Sequence, residues 1–428
     1  MAENFLSKAS NRVALGVRKR LLLLLCRLPW YKRLLLFRGE PSFTGGASDK
    51  SRVLIIDATT PTPDMDSGSV DAVYLMKILQ RLGYMVTFAP DDFVYKDKYT
   101  KELCGLGVHC INRDVFPSLE IYIELYGHCF DLIFLSRVSC AARYITDIRR
   151  FCPRAKVLFN TVDLHYLREA RRAELEGSAV LAGQASETKA MELMAIEKCD
   201  ATIVISEAER EMIKLELPAA NVAAIPYVRE VRGCRVPFSE RRDIVFVGGF
   251  LHLPNIDAAT YFVHKIWPMV RKELPDVQFQ IVGSNMPREV KSLESEPGVV
   301  IRGYVPAIEP VMDQCRLTVA PLRYGAGIKG KIATSLSCGV PCVATPVAVE
   351  GMRLSDRRDV LIAAGEQQFA AAVAEAYRDE ALWNALSERG LHFVADHFSF
   401  ERGVERIREL LDSVSANAKC VIDAPGKE

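Results

Sequence analysis

The 428-residue chain is short of several things, and each shortage excludes a class of protein. No apolar run approaches the roughly 20 residues that span a bilayer. Net charge is almost nil, +1 from 55 Lys and Arg against 54 Asp and Glu, which argues against bulk electrostatic binding to nucleic acid. Twelve cysteines are present, but none pair as C-x-x-C and most stand in apolar surroundings. That pattern fits buried thiols in a reducing compartment better than a zinc site or a disulfide framework. Neither segment that reads as a first strand, "VLIIDATTPTP" or "IVFVGGFLHLP", leads into G-x-G-x-x-G, so a nicotinamide dehydrogenase is disfavoured.

What is present is ordinary in bulk and uneven in place. Apolar residues at 49% and charged residues at 25% match a folded soluble protein. Residues 1–39 carry nine Lys or Arg against one acid, Glu3, interleaved with "LLLLLC", "PWY" and "LLLF". A signal peptide fits this poorly, because basic residues resume directly after a short apolar core. Two readings stay open: an amphipathic segment lying on an anionic membrane surface, or a basic extension that docks nowhere. A Gly/Ser-rich stretch, 43–51, closes this segment.

From residue 52 short β-rich runs alternate with helical patterns: "RVLIID", a helix over 70–84, "MVTFAP", "VHCI", "FDLIFLS", "AKVLFNT", a helix over 187–199 and "DATIVIS". The polar, basic stretch 226–242 breaks the rhythm. A second series follows: "DIVFVGG", a helix around 256–273, "VQFQIVG", "GVVIRGY", "CRLTVAPL", "GVPCVATP" and "DVLIAA", closed by helices over 366–396 and 400–416. Such alternation predicts parallel sheets with ligands at the strands' C-terminal ends. The organisation expected is an N-terminal extension and linker (1–50), a first α/β domain (51–228), a linker (229–242), a second α/β domain (243–396) and a C-terminal helix and tail (397–428). Its natural ligand position is the cleft between the α/β domains.

The densest signal is "RYGAGIKGKIATSLSCG" (323–339). Gly325 to Lys331 reads G-x-x-x-x-G-K, but Ile332 stands where a P-loop needs Ser or Thr for Mg²⁺. Gly325, Gly327 and Gly330 let backbone approach an anion, and a helix start near Ile332 adds free N–H groups. Lys329, Lys331 and Arg323 supply countercharge. The chemistry implied is a phosphate or diphosphate site, with an Mg-ATP P-loop disfavoured.

These residues, with "GGFLHLPNIDA" (248–258), "IWPMVRKELPDVQFQIVG" (266–283), "TVDLHYLREAR" (161–171) and "TPDMDSGS" (62–69), resemble glycosyltransferase family 4, the retaining sugar transferases of the GT-B fold. The resemblance runs through most of 52–415. It implies two Rossmann-like domains facing each other across a cleft, with the last helix returning to the first domain. It places a nucleotide-diphosphate sugar against Gly248, Gly249, Arg323, Gly325, Gly327, Lys329, Gly330, Lys331, Thr334, Glu350 and Gly351. In the first domain it turns Ser67, Gly68 and Ser69 toward the cleft. Asp163 and His165, two apart after a strand, point the same way if the chain stays extended, and are expected in catalytic roles with Lys329 and Lys331. Arg168 and Arg171 follow at near-helical spacing. Asp64 and Asp66 read as part of a turn ahead of a helix capped by Ser67 or Ser69, rather than as metal ligands.

Two departures stand out. The family carries two glutamates eight positions apart here; the second position is Thr334, and the first falls within the glycine loop. An Arg and a Lys usual after the second domain's first strand are replaced around Gly249 and Pro254. The expectation is therefore a retaining, metal-independent transferase that moves a sugar from a nucleotide-diphosphate sugar to a glycan or lipid-linked acceptor. Its expected setting is cytoplasmic surface-polysaccharide synthesis, peripheral on the inner face of the plasma membrane through residues 1–39, with no cofactor and no nucleic-acid partner. A catalytically degenerate partner protein and a GT-B nucleotide-sugar epimerase are the alternatives.

Overall fold

The computed structural model describes residues 50–422, with side chains up to 416. The basic segment 1–39 and its proposed membrane contact lie outside the described residues. Seven strands are β1 (Arg52–Asp57), β2 (Met85–Pro90), β3 (His109–Cys110), β4 (Leu132–Ser136), β5 (Lys156–Asn160), β6 (Ala201–Val204) and β7 (Val222–Ala224). They lie in the order β3-β2-β1-β4-β5-β6-β7. Six more, β8 (Arg242–Val247), β9 (Phe279–Val282), β10 (Val299–Gly303), β11 (Cys315–Ala320), β12 (Cys342–Ala344) and β13 (Leu361–Ile362), lie in the order β10-β9-β8-β11-β12-β13. Pairing is parallel, with Val53 opposite Val86 and Ile244 opposite Phe279.

Continuous apolar strands are what a sheet covered on both faces requires. Val53, Leu54, Ile56, Ile133 and Phe134 in the first sheet are fully buried, as are Ile244, Val245, Phe246, Leu317 and Val343 in the second. By compactness the chain divides into two units, residues up to 60 with 83–158, and 61–82 with 159 onward. The helix Ser67–Arg81 thus belongs with the second unit.

Three local expectations are corrected. The cap of Ser67–Arg81 is Asp66, not a serine: its carboxylate accepts Ser69 N at 2.8 Å and Ser69 Oγ at 2.7 Å. A carboxylate suits the N-terminal dipole better than a hydroxyl. The helix expected around 256–273 starts earlier, at Leu253 with Pro254 in its first turn, and passes through a π-turn at Phe262–Ile266. The stretch 366–396 is two helices, Glu366–Arg378 and Glu380–His397, because Asp379 leaves helical geometry and caps Leu382 N at 3.0 Å. The last helix, Phe400–Ile422, packs on Ser67–Arg81: Tyr74 and Phe400 rings lie 6.3 Å apart, and a Cβ on Gly403 would stand 2.9 Å from Ile78.

Candidate donor site

β11 ends at Ala320, and the glycine-rich turn runs into the helix Gly330–Ser337. Lys329 is the residue before that helix, but its side chain caps nothing. It folds back so that Nζ donates to Ala326 O at 2.9 Å and to Gly327 O. Two glycines are obligatory. Gly327 has φ +68°, and a Cβ there would fall 2.2 Å from Ile205 Cδ1 and 3.3 Å from Asp163 Cβ. A Cβ on Gly330 would fall 1.9 Å from Ser67 Oγ. The missing side chains let the loop close on the turn bearing Asp163 and on the start of Ser67–Arg81.

Arg229, which sequence reasoning placed in a linker, sits at this junction. It is buried, and its guanidinium donates to Asp71, Ser67 Oγ and Val228 O. Ser67 Oγ therefore lies between Arg229 and the start of Gly330–Ser337. Ser69 does not: it is buried and spent on Asp66. Gly68 lies between them in the first turn.

Lys331 Nζ reaches Asn255 Oδ1 at 2.6 Å and stands 4.0 Å over the Phe246 ring. Asn255 in turn donates to Gly249 O at 2.8 Å and fills the space where a Cβ on Gly248 would be, 2.8 Å from its Cγ. The first turn after β8 and the lysine loop are thus joined through one asparagine. Burial pulls Lys329 down to about 8, while Glu350, Glu209 and Asp163 oppose the fall. Burial likewise lowers Lys331 to about 7, with Lys329 adding repulsion. Desolvation is the first cause of the fall at both lysines.

Arg323 behaves differently from expectation. It makes a two-pronged pair with Asp257 over the Tyr261 ring, on the surface, and is not brought to the lysines. A local carboxylate at the right reach outcompetes the loop. Thr334 lies in the second turn of Gly330–Ser337, half-buried. Gly351, at φ +74°, packs on Ser206, where a Cβ would stand 2.6 Å from the serine Cβ.

The first half of the site comes from the turn after β5. The chain does not stay extended there: Val162 has φ +66°, and His165 opens the helix His165–Glu176. The turn still brings His165 Nε2 to 3.1 Å from Asp163 Oδ1, and Arg168 adds an ion pair. Burial alone would raise Asp163, but His165 and Arg168 hold it well below the usual carboxylate range. One helical turn on, Arg171 grips both Glu350 oxygens and donates to Gly325 O at 2.6 Å. Arg171 and Glu350 thereby clamp the glycine loop. His252, unremarked in the sequence, is exposed to water but crowded by protein. Crowding by protein and then Arg168 lower its pKa, while Asp163 opposes the fall. Asp64 accepts from Tyr304 OH at 2.7 Å, and Asp66 is the helix cap. Among the described residues no cluster of His, Cys, Asp or Glu is placed to hold a metal.

Similarity to known proteins agrees with the fold. A sucrose-phosphate synthase of Thermosynechococcus elongatus matches with TM-score 0.66 at 15% identity, over 86% of this chain and 100% of the other. TarM, known from S. aureus, matches with TM-score 0.67 at 11% identity, over 85% and 99%. HepE of Anabaena, solved in complex with UDP and glucose, matches with TM-score 0.62 at 13% identity, over 85% and 100%. No curated protein matches by sequence. Two Rossmann-like parallel sheets of this kind make the GT-B fold of sugar transferases. Within it, residues 241–379 match the family described as glycosyl transferases group 1.

Proposed function

We propose that the protein is a retaining glycosyltransferase that takes a sugar from a nucleotide-diphosphate sugar without a bound metal and passes it to a glycan or lipid-linked acceptor. The carrying observation is the loop Gly325–Lys331. It presents a helix start and two desolvated lysines, Lys329 buried and Lys331 half-buried, depressed to about 8 and 7, opposite a turn holding Asp163 and His165. A diphosphate supplies the negative charge those lysines lack and draws their protons back. In front-face displacement the acceptor hydroxyl attacks from the side the diphosphate leaves, so the chief demand is to stabilise charge growing on that leaving group. Pre-set amides, a helix end and desolvated cations do this with little reorganisation. Glu350 is spent on Arg171, so its part is to hold the loop. His165, fixed by Asp163, is assigned to a sugar hydroxyl. The HepE and TarM complexes with UDP make a UDP-sugar the first donor to try.

The setting proposed is the cytoplasmic face of a membrane, in surface-polysaccharide assembly, with residues 1–39 as the contact. Among the described residues no helix is long and apolar enough to cross a membrane. The test is thermal stabilisation by UDP, GDP, ADP and dTDP, with and without Mg²⁺, beside ATP. A metal-independent shift with one diphosphate is expected. A shift with Mg-ATP alone would return the loop to a P-loop role. Thr334, in place of a family glutamate, favours one second reading, a donor-binding partner without catalysis; it predicts the same shift with no release of UDP from UDP-glucose.

A further inference from the structure

Two glutamates of the second unit are buried, and the reaction proposed above gives them no task. Glu192, on the helix Ala179–Lys198, is 0% exposed, and Glu209, on the helix Glu207–Glu216, is 2% exposed. Glu192 accepts His165 N on one oxygen at 3.1 Å and Tyr166 N on the other at 3.0 Å. Glu209 accepts Leu164 N on one oxygen at 3.4 Å and Ile205 N on the other at 3.2 Å. Three consecutive backbone N–H groups, of residues 164 to 166, therefore end on carboxylates supplied by two other helices. We propose that Glu192 and Glu209 are positioning residues: they set the 162–166 turn, and with it Asp163 and His165, against the glycine-lysine loop.

The turn needs such a hold. Val162 is β-branched at φ +66°, a conformation that costs energy and persists only when its surroundings impose it. Asn160 Oδ1 accepts Val162 N at 3.2 Å and Tyr227 OH donates to Val162 O at 3.3 Å, but neither reaches residues 164–166. An isolated helix start is ordinarily capped by a local Ser, Thr, Asp or Asn. Here the residue before the helix is Leu164, and the cap comes from 27 positions away. Every carboxylate oxygen is used, so a glutamine in either place would turn its NH₂ toward a backbone donor.

The groups facing these carboxylates define how the hold responds to pH. Glu192 faces Asp163, His165 and Tyr166; Glu209 faces Asp163, Lys329, Tyr166 and Tyr227. Burial raises both glutamates to about 7. Below that pH one oxygen of each gains a proton and one N–H loses a good acceptor. The folded pKa lies above the unfolded one, so protonation does not cost the fold stability. Acid thus loosens the turn without unfolding the chain.

This proposal rests on the sugar-transfer reading, and the experiment separates the two. Glu192→Gln and Glu209→Gln are made in the full chain and compared with wild type from pH 5.5 to 8.5. The readouts are release of UDP from UDP-glucose (then GDP, ADP and dTDP from their glucose conjugates) and amide exchange of residues 161–167 by mass spectrometry. Expected are a fall in kcat of roughly 10- to 100-fold with donor KM within about twofold, the scale of a misplaced reacting group, and faster exchange of 161–167. In wild type, exchange corrected for its intrinsic pH dependence rises below pH 7, and kcat falls there; the variants lose this acid limb. Unchanged kcat with faster exchange would reduce both glutamates to structural caps and overturn the proposal. Unchanged exchange would overturn it outright. If a variant does not fold, the wild-type exchange profile alone decides. If wild type releases no nucleotide from any donor, the sugar-transfer reading fails, while exchange still reports whether the carboxylates hold the turn.

Discussion

Replacing Lys331 by methionine should make the unliganded protein more stable and a worse donor binder. In the folded chain the ammonium titrates near 7, whereas an unfolded lysine titrates near 10.5. At pH 7 the chain therefore carries a lysine whose charge is disfavoured by on the order of several kcal/mol. Methionine has similar reach and no charge. Against this, Asn255 Oδ1 loses its 2.6 Å partner, at about 1–2 kcal/mol, and the contact over Phe246 goes. The net expectation is a gain on the order of 2 kcal/mol at pH 7, read by urea denaturation. The pH dependence supplies a second check with a definite sign. Because the folded pKa is depressed, the unfolded chain binds more protons between about 7 and 10.5, so wild-type stability rises with pH across that window. Lys329, at about 8, contributes to the same rise from 8 upward. The Lys331→Met variant should rise less steeply, most visibly between 7 and 8. UDP affinity, by calorimetry, should fall at least tenfold, and in wild type it should itself decline as pH climbs through 7 to 8. A variant less stable than wild type at pH 7, with an unaltered slope, would refute the argument that this lysine is held in want of an anion.

Two further outcomes follow from the loop's packing. Gly330→Ala puts a methyl 1.9 Å from Ser67 Oγ, so one wall must shift, and overpacking of this kind costs roughly 1–3 kcal/mol. Donor binding should weaken with it, and Ser67→Gly in the same chain should restore most of the melting temperature. Arg171→Lys keeps the charge but cannot grip both Glu350 oxygens and Gly325 O together. It should lower turnover, with a stability change below about 2 kcal/mol, and faster exchange of residues 323–331 should accompany the loss.

Much of this was legible in the sequence because it depends on local chemistry. Short β-rich runs bounded by breakers marked nearly every strand, since a sheet covered on both faces admits only apolar strands. The glycine-lysine loop was readable for the same reason: closely spaced glycines before a helix announce close backbone approach. The helix caps were less so. Ser67 and Ser69 suit a cap as well as Asp66 does, and only the folded turn put the Asp66 carboxylate on Ser69 N.

What the tertiary structure decided is who meets whom. Nothing in "GGFLHLP" or in the linker sequence marks His252 or Arg229, because their importance lies in what other segments bring beside them, Arg168 and Asp163 for one, Ser67 and Gly330 for the other. Arg323 looked like loop countercharge until Asp257, 66 positions earlier, claimed it. Nothing in the sequence singles out Glu192 or Glu209, yet both are buried on the turn that holds Asp163. Composition and spacing determine which segments are strands, helices and glycine turns, since backbone preference and burial act over a few residues. The pairing of charges acts across tens to hundreds of positions, and only the folded chain sets those distances.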